Sequence, residues 1–165
     1  MSKDAIVLLK EDHQEVRKLF RAFQKPDQTP AQKQKTVDAI LELLTVHTYI
    51  ENEVMYPRVR QLLPDLEDDV LESYEEHHVA DVLCLELAAM DAKDERFEAK
   101  TTVLIENVQH HMDEEEQDWF PKVRAGLGRK QLQELGEALL AAKERAPRRP
   151  AQPSAIKKAI DAVVS

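Results

Sequence analysis

Two stretches of the chain, HTYIENEVMYPRVR at 47–60 and HMDEEEQDWFPKVR at 111–124, share His, Glu, Pro, Val and Arg at five of fourteen positions, and Tyr56 answers Phe120. In each, His and Glu stand four apart (His47 and Glu51, His111 and Glu115), a spacing that sets imidazole and carboxylate one turn apart on one helix face. Two more histidines precede these pairs by equal intervals, 47 − 13 = 34 and 111 − 77 = 34. An offset of 64 therefore carries His13, His47 and Glu51 onto His77, His111 and Glu115, and also Glu11 onto Glu75, Leu19 onto Leu83 and PRVR onto PKVR. Four imidazoles and two carboxylates are the donors of a transition-metal centre if one place receives all six.

The apolar pattern decides whether it does. Leu9, Val16, Leu19, Phe20 and Phe23 form a helical stripe that stops before Pro26 and Pro30, and His13 lies on it, four after Leu9 and three before Val16. Thr29 followed by Pro30 is a helix start. Val37, Ile40, Leu44 and Val54 carry the second helix to about Pro57, with a short continuation to Leu63 and His47 three after Leu44. A third helix begins after Pro64 and shows Val70, Tyr74, Cys84 and Ala88 on one face to about Met90, with His77 seven after Val70. AKDER reads as a loop; Phe97, Leu104, Ile105, Val108 and Met112 then define a fourth helix to Phe120, where Pro121 marks the end of the regular ladder or a kink. After the GLG break, Leu132, Leu135 and Leu139 make a shorter fifth helix. Residues 1–145 are thus predicted to be all-α, an up-down antiparallel four-helix bundle with the fifth helix appended. The remaining 146–165 read as a Pro-rich, basic flexible tail in which AIKKAIDAVV is a short amphipathic helix or a frayed end.

A single His on an apolar stripe is usually a hydrogen-bonded core residue, and HxxxE alone is a common surface pair. Together they are harder to dismiss. A buried carboxylate costs several kcal/mol unless paired or coordinated, and no Lys or Arg shares the inward positions of Glu51 and Glu115. Six side chains including two carboxylates exceed the closed tetrahedron of a structural zinc and suit two octahedral cations bridged by the carboxylates, with positions left for an oxo group or an exogenous ligand. Two irons fit that set best, manganese less well. The Glu-x-x-His order of ferritin-like dimetal sites is not the order found here.

The bulk composition narrows the partners. Lys and Arg are outnumbered 23 to 32 and the net charge is −9, which argues against nucleic acid as a partner. With three Gly and abundant Ala, Leu, Glu, Lys and Gln the chain favours helix. The N-terminus MSKDAIVLLKEDHQEV has no apolar run of signal-peptide length, and nowhere do about 18 apolar residues run together, so a soluble cytoplasmic protein without a membrane partner is expected, as a monomer or weak dimer. The one Cys cannot form an internal disulfide.

The order H, HxxxE, H, HxxxE over four helices, with an aromatic–Pro pair after each HxxxE (Tyr56–Pro57, Phe120–Pro121), resembles the bacterial hemerythrin-like family, also called the HHE cation-binding domain, over roughly residues 3–124. The resemblance implies a non-haem diiron centre, oxo- or hydroxo-bridged, with His13, His47, His77 and His111 as terminal ligands and Glu51 and Glu115 as bridges. Oxygen-carrying members have HxxxH on the third helix and HxxxxD on the fourth; here Asp81 stands four after His77 and Tyr74 precedes it, so Asp81, Tyr74 or water is left to fill the open position. Fewer imidazoles leave more than one exchangeable position, which lets both oxygens of a peroxide reach metal. The first functional expectation is therefore an oxidoreductase that disproportionates hydrogen peroxide, as a catalase does, in oxidative-stress defence. The second, also implied by the family, is reversible binding or sensing of oxygen or nitric oxide. A third makes the site structural and lets the tail, with Lys157 and Lys158, dock on a partner or an acidic surface.

Other residues are assigned lesser roles. His78 and His110 lie about 100° off the ligand face and read as outer or surface residues. Glu11, Glu75 and Glu76 are candidates to accept hydrogen bonds from ligand imidazoles, Glu114 and Glu116 to make the mouth of the site negative, and Cys84 to be a small buried hydrophobe.

Overall fold

Each inward histidine sits where one apolar stripe gives way to another. The computed structural model describes residues 3–150, and among them every regular element is helical. The helices are α1 (Ala5–Phe23), α2 (Pro30–Ile50), α3 (Tyr56–Leu62), α4 (Glu67–Ala88), α5 (Phe97–Glu114), α6 (Phe120–Gly126) and α7 (Arg129–Arg145). One apolar cluster gathers Leu9 of α1, Ile50 of α2, Val70 of α4 and Trp119; a second gathers Val16, Leu44, Ala80 and Val108 from the same four rods. α1 and α4 run from the first cluster to the second and α2 and α5 run back, so the bundle is up-down and antiparallel. His13, His47, His77 and His111 occupy the layer between the clusters.

Local chemistry sets the ends. Asp4 caps α1, accepting from the Val7 N–H at 3.0 Å. Thr29 and Gln32 form a reciprocal capping box at α2, with Pro30 in the first turn. α4 has no side-chain cap but places Glu67, Asp68 and Asp69 in its first turn, against the positive end of the helix dipole.

Neither Pro57 nor Pro121 ends its rod. In both, the α ladder gives way to one π turn, Glu51–Met55 and Glu115–Trp119, and α3 and α6 resume at the aromatic residue before proline. Proline has no N–H to offer, and the slip by one residue lets the N–H of Tyr56 bond to the Glu51 carbonyl and that of Phe120 to the Glu115 carbonyl. On α4 the buried stripe is Val70, Ser73, His77, Ala80, Cys84 and Leu87. Tyr74 is half-buried on the flank, its ring 5.4 Å from that of Tyr56, and Ala88 is exposed, because the helix presents a seven-residue repeat to its neighbours.

α7 buries Leu132, Leu135, Leu139 and Ala142 against α1, α2 and the first π turn. Gly136 lies against the backbone of Lys3 and Asp4, where a Cβ would collide with main-chain atoms, so this close approach requires glycine. The amphipathic segment AIKKAIDAVV lies outside the described residues.

Candidate metal centre

The six donors converge. His13, His47, Glu51 and Glu115 bring one ligand atom each to within 4.8 Å of one another, and Glu51, His77 and His111 form a second such group that shares Glu51. All six are buried, from 0% exposure for His13 and Glu51 to 6% for His111. His47 Nε2 is 2.7 Å from Glu51 Oε1, His77 Nε2 is 3.4 Å from the same oxygen, and His13 Nε2 and His111 Nε2 are each 3.3 Å from Glu115 Oε1.

These atoms face one another without the directions of hydrogen bonds. Among the described residues, His13 Nε2, His47 Nε2, both oxygens of Glu51 and Glu115 Oε1 are buried and make none. Each such orphan costs about 1–3 kcal/mol, and cations among them would satisfy the lone pairs together, so the donor set fits a dimetal centre. Electrostatics agrees. Burial disfavours every charged form here, and Glu51 and Glu115 repel each other, yet the facing imidazoliums hold both carboxyls below their usual range. Against the same burial, Glu51 and Asp12 push His47 up to about 10, while Glu115 and its neighbours raise His13 and His111. Cation binding at such imidazoles is coupled to the loss of their protons.

A second layer orients the imidazoles. The Nδ1 atoms of His47, His77, His111 and His13 lie 3.1 Å from Asp12 Oδ2, 2.8 Å from Asn52 Oδ1, 3.2 Å from Glu76 Oε1 and 3.5 Å from Glu116 Oε1. Such partners fix the tautomer that leaves Nε2 free for metal. They obey the repeat, since 12 + 64 = 76 and 52 + 64 = 116. Glu76 takes the expected role, whereas Glu11 pairs with Lys3 on the surface and Glu75 is exposed; the inward acid of α1 is Asp12, one residue further on.

Tyr56 is the donor that the sequence pattern hides. Its ring is 5.2 Å from that of His77, as that of Phe120 is 5.7 Å from that of His13. Only Tyr56 has a hydroxyl, which donates to Glu115 Oε2 at 2.9 Å and lies 3.1 Å and 3.2 Å from Nε2 of His77 and His111. Burial and the two carboxylates raise its pKa well above the usual phenol value, so ionisation there needs a cation. Five residues at about 100° each would leave Tyr56 roughly 140° from Glu51 on an unbroken α-helix; the π turn swings it back. Tyr74 instead directs its hydroxyl to the Asn52 carbonyl at 3.5 Å, and Asp81 is half-buried, with its carboxyl pKa raised by that burial. Asp81 belongs to neither of the two donor groups. His110 is exposed, and Cys84 is buried with its thiol pKa pushed up by that burial.

The wall beside His111 opens into a pocket of about 240 Å³ lined by Glu72, Glu76, Glu114, Glu115 and Trp119 among others. A tighter, mainly apolar recess lined by Leu44, Thr48, Ala80, Val108 and Met112, and sharing Glu76 and His111 with the first pocket, touches His47, His77 and His111.

Residues 4–123 match the hemerythrin HHE cation binding domain, and the chain belongs to that family. It is further similar, at 23% identity and a TM-score of 0.72 over 87% of this chain and 86% of the other, to the crystal structure of a hemerythrin HHE cation binding domain-containing protein from Mycobacterium kansasii. A DNA nickase of Nostoc sp. is 29% identical over 142 residues, 86% of this chain but 40% of that protein, so the chain spans about two fifths of that relative's length. No helix of the described residues is long and apolar enough to cross a membrane.

Proposed function

We propose that this chain is a non-haem diiron protein that disproportionates hydrogen peroxide, with His13, His47, His77, His111, Glu51 and Glu115 as metal ligands and Tyr56 as a seventh donor beside His77 and His111. The observation that carries the reading is the opening of the donor cluster onto a polar, acid-lined pocket at Glu115 and His111, which suits a small hydrogen-bonding substrate better than an apolar gas. Bound iron would store the electrons that pass between two peroxide molecules, so that two H2O2 give one O2 and two H2O without an external reductant. The protein side chains do the rest. Asp12, Asn52, Glu76 and Glu116 hold the imidazoles in place, Tyr56 keeps an O–H beside Glu115 Oε2, and the apolar clusters on either side keep bulk water out.

The test is oxygen evolution from peroxide by iron-loaded protein with no reductant present. Turnover lost in His111→Ala and kept in His110→Ala is expected. The apolar recess against three of the ligand histidines favours a second reading, reversible binding or sensing of oxygen or nitric oxide. A stable, reversible spectral change with either gas and no oxygen from peroxide would select it. The DNA activity in the Nostoc protein's name is not carried over. With a net charge of −9, this chain is poorly suited to a phosphate backbone.

A further inference from the structure

We propose that the acid-lined pocket is the loading port for divalent cations, and that Glu76, His110 and Glu114 at its mouth are an outer docking site through which a hydrated cation passes to Glu115 and His111. This rests on the reading that the interior cluster holds metal.

At the mouth, Glu76, His110 and Glu114 bring one donor atom each to within 4.8 Å of one another, with His110 Nε2 3.0 Å from Glu114 Oε1. Glu76 and Glu114 also line the pocket, and Glu76 reaches His111 Nδ1 at 3.2 Å, so a single carboxylate touches both the outer group and an inner ligand. Two unsatisfied, almost fully buried groups line the same pocket. Glu115, 2% exposed, has Oε1 without a hydrogen bond, and Trp119, 3% exposed, has an Nε1–H without an acceptor among the described residues. A carboxylate oxygen addresses a cation, and this one also faces His13 and His111 at 3.3 Å, so it joins the pocket to the interior donor set.

The repeat provides an internal control. Asp12, the counterpart of Glu76, is filled by Lys143 Nζ at 2.7 Å, and Glu116, the counterpart of Asn52, is covered by Arg17. Among the described residues no Lys or Arg pairs with Glu72, Glu76 or Glu114; Lys122 reaches only Asp69 and Asp118 at the rim. One flank of the centre is thus closed by the protein's own cations, and the other is a negative concavity that concentrates cations from solution. One exposed imidazole, one exposed carboxylate and one half-buried carboxylate are too few and too open to retain a transition metal against the interior set, so the outer site passes its ion inward.

The experiment adds cobalt(II) alone to the metal-free full chain and follows the rise of its absorbance after rapid mixing. For the double variant His110→Ala/Glu114→Gln, uptake about tenfold slower and less sensitive to salt is expected, with final stoichiometry and spectrum unchanged. Glu137→Gln, which removes a carboxylate from α7, should load at the wild-type rate. Equal rates in the double variant would overturn the port, and so would a lower final occupancy, which would make these residues part of the resident site. A wild-type chain that takes up no cobalt at all sinks the metal reading itself, and the port with it.

Discussion

The two hairpins, α1–α2 and α4–α5, offer the same ligands in the same register but stand in different surroundings. His47 and His13 are backed by carboxylates that are themselves neutralised, Asp12 by Lys143 and Glu116 by Arg17. His77 is backed by the neutral amide of Asn52 and His111 by Glu76, which opens on the acidic pocket. The second hairpin's donors also receive the Tyr56 hydroxyl, where the first's meet the plain ring of Phe120. A repeated scaffold therefore builds two inequivalent half-sites. The His13/His47 half is braced by charge; the His77/His111 half opens on the acidic pocket and carries a phenol. Such asymmetry is what a centre needs if one position is to hold its metal and the other is to meet a ligand.

The comparison breaks most completely at Glu51, which belongs to both donor groups. Glu51→Ala is expected to abolish binding of both ions, while His111→Ala lowers the stoichiometry chiefly at the open half; metal analysis of the purified variants distinguishes them. Tyr56→Phe makes the halves alike. The fold should survive, since Phe120 occupies the related place, but affinity at the His77/His111 half should fall about tenfold by titration, within the range for residues that support ligands. Lys143→Met removes the brace instead and should weaken the His13/His47 half by a similar or smaller factor, leaving the other half unchanged.

The smallest effect is that of acid on the metal-free chain. Burial alone would raise the Asp12 carboxyl, but His47 and Lys143 bring it down to about 2. Because the folded value lies below the ordinary 3.8, this group stabilises the fold above about pH 4, by about 2 kcal/mol. That contribution fades as pH falls towards 2. Acid unfolding followed by circular dichroism should thus begin at higher pH in Lys143→Met than in wild type. Coincident curves would remove Lys143 from the account.

Most of the scaffold was legible. The four long rods, the appended helix, the helix start at Thr29–Pro30 and the inward register of the six donors follow from 3.6-residue periodicity and turn chemistry, which are local. Sequence and structure differ where a rod departs from that period and where identity across the repeat is a poor guide to register. Spacing puts Tyr74 and Ala88 on the buried face of α4, which in the folded chain belongs to Ser73 and Leu87. Of the supporting acids read from the sequence, Glu11, Glu75 and Glu76, geometry keeps Glu76 and puts Asp12 in the place of Glu11, and Pro57 and Pro121 mark the π turns without revealing what they do.

By itself the sequence determined the six donors, their twofold repeat and the bundle that gathers them, because each is written in spacings within single helices. Only the tertiary structure decided which half is braced and which is open. Lys143 meets Asp12 across 143 − 12 = 131 residues, and Tyr56 reaches Glu115 across 115 − 56 = 59 after a π turn rotates it into the core. Contacts between distant parts of a chain depend on how helices lie against one another, which no periodicity along one helix encodes.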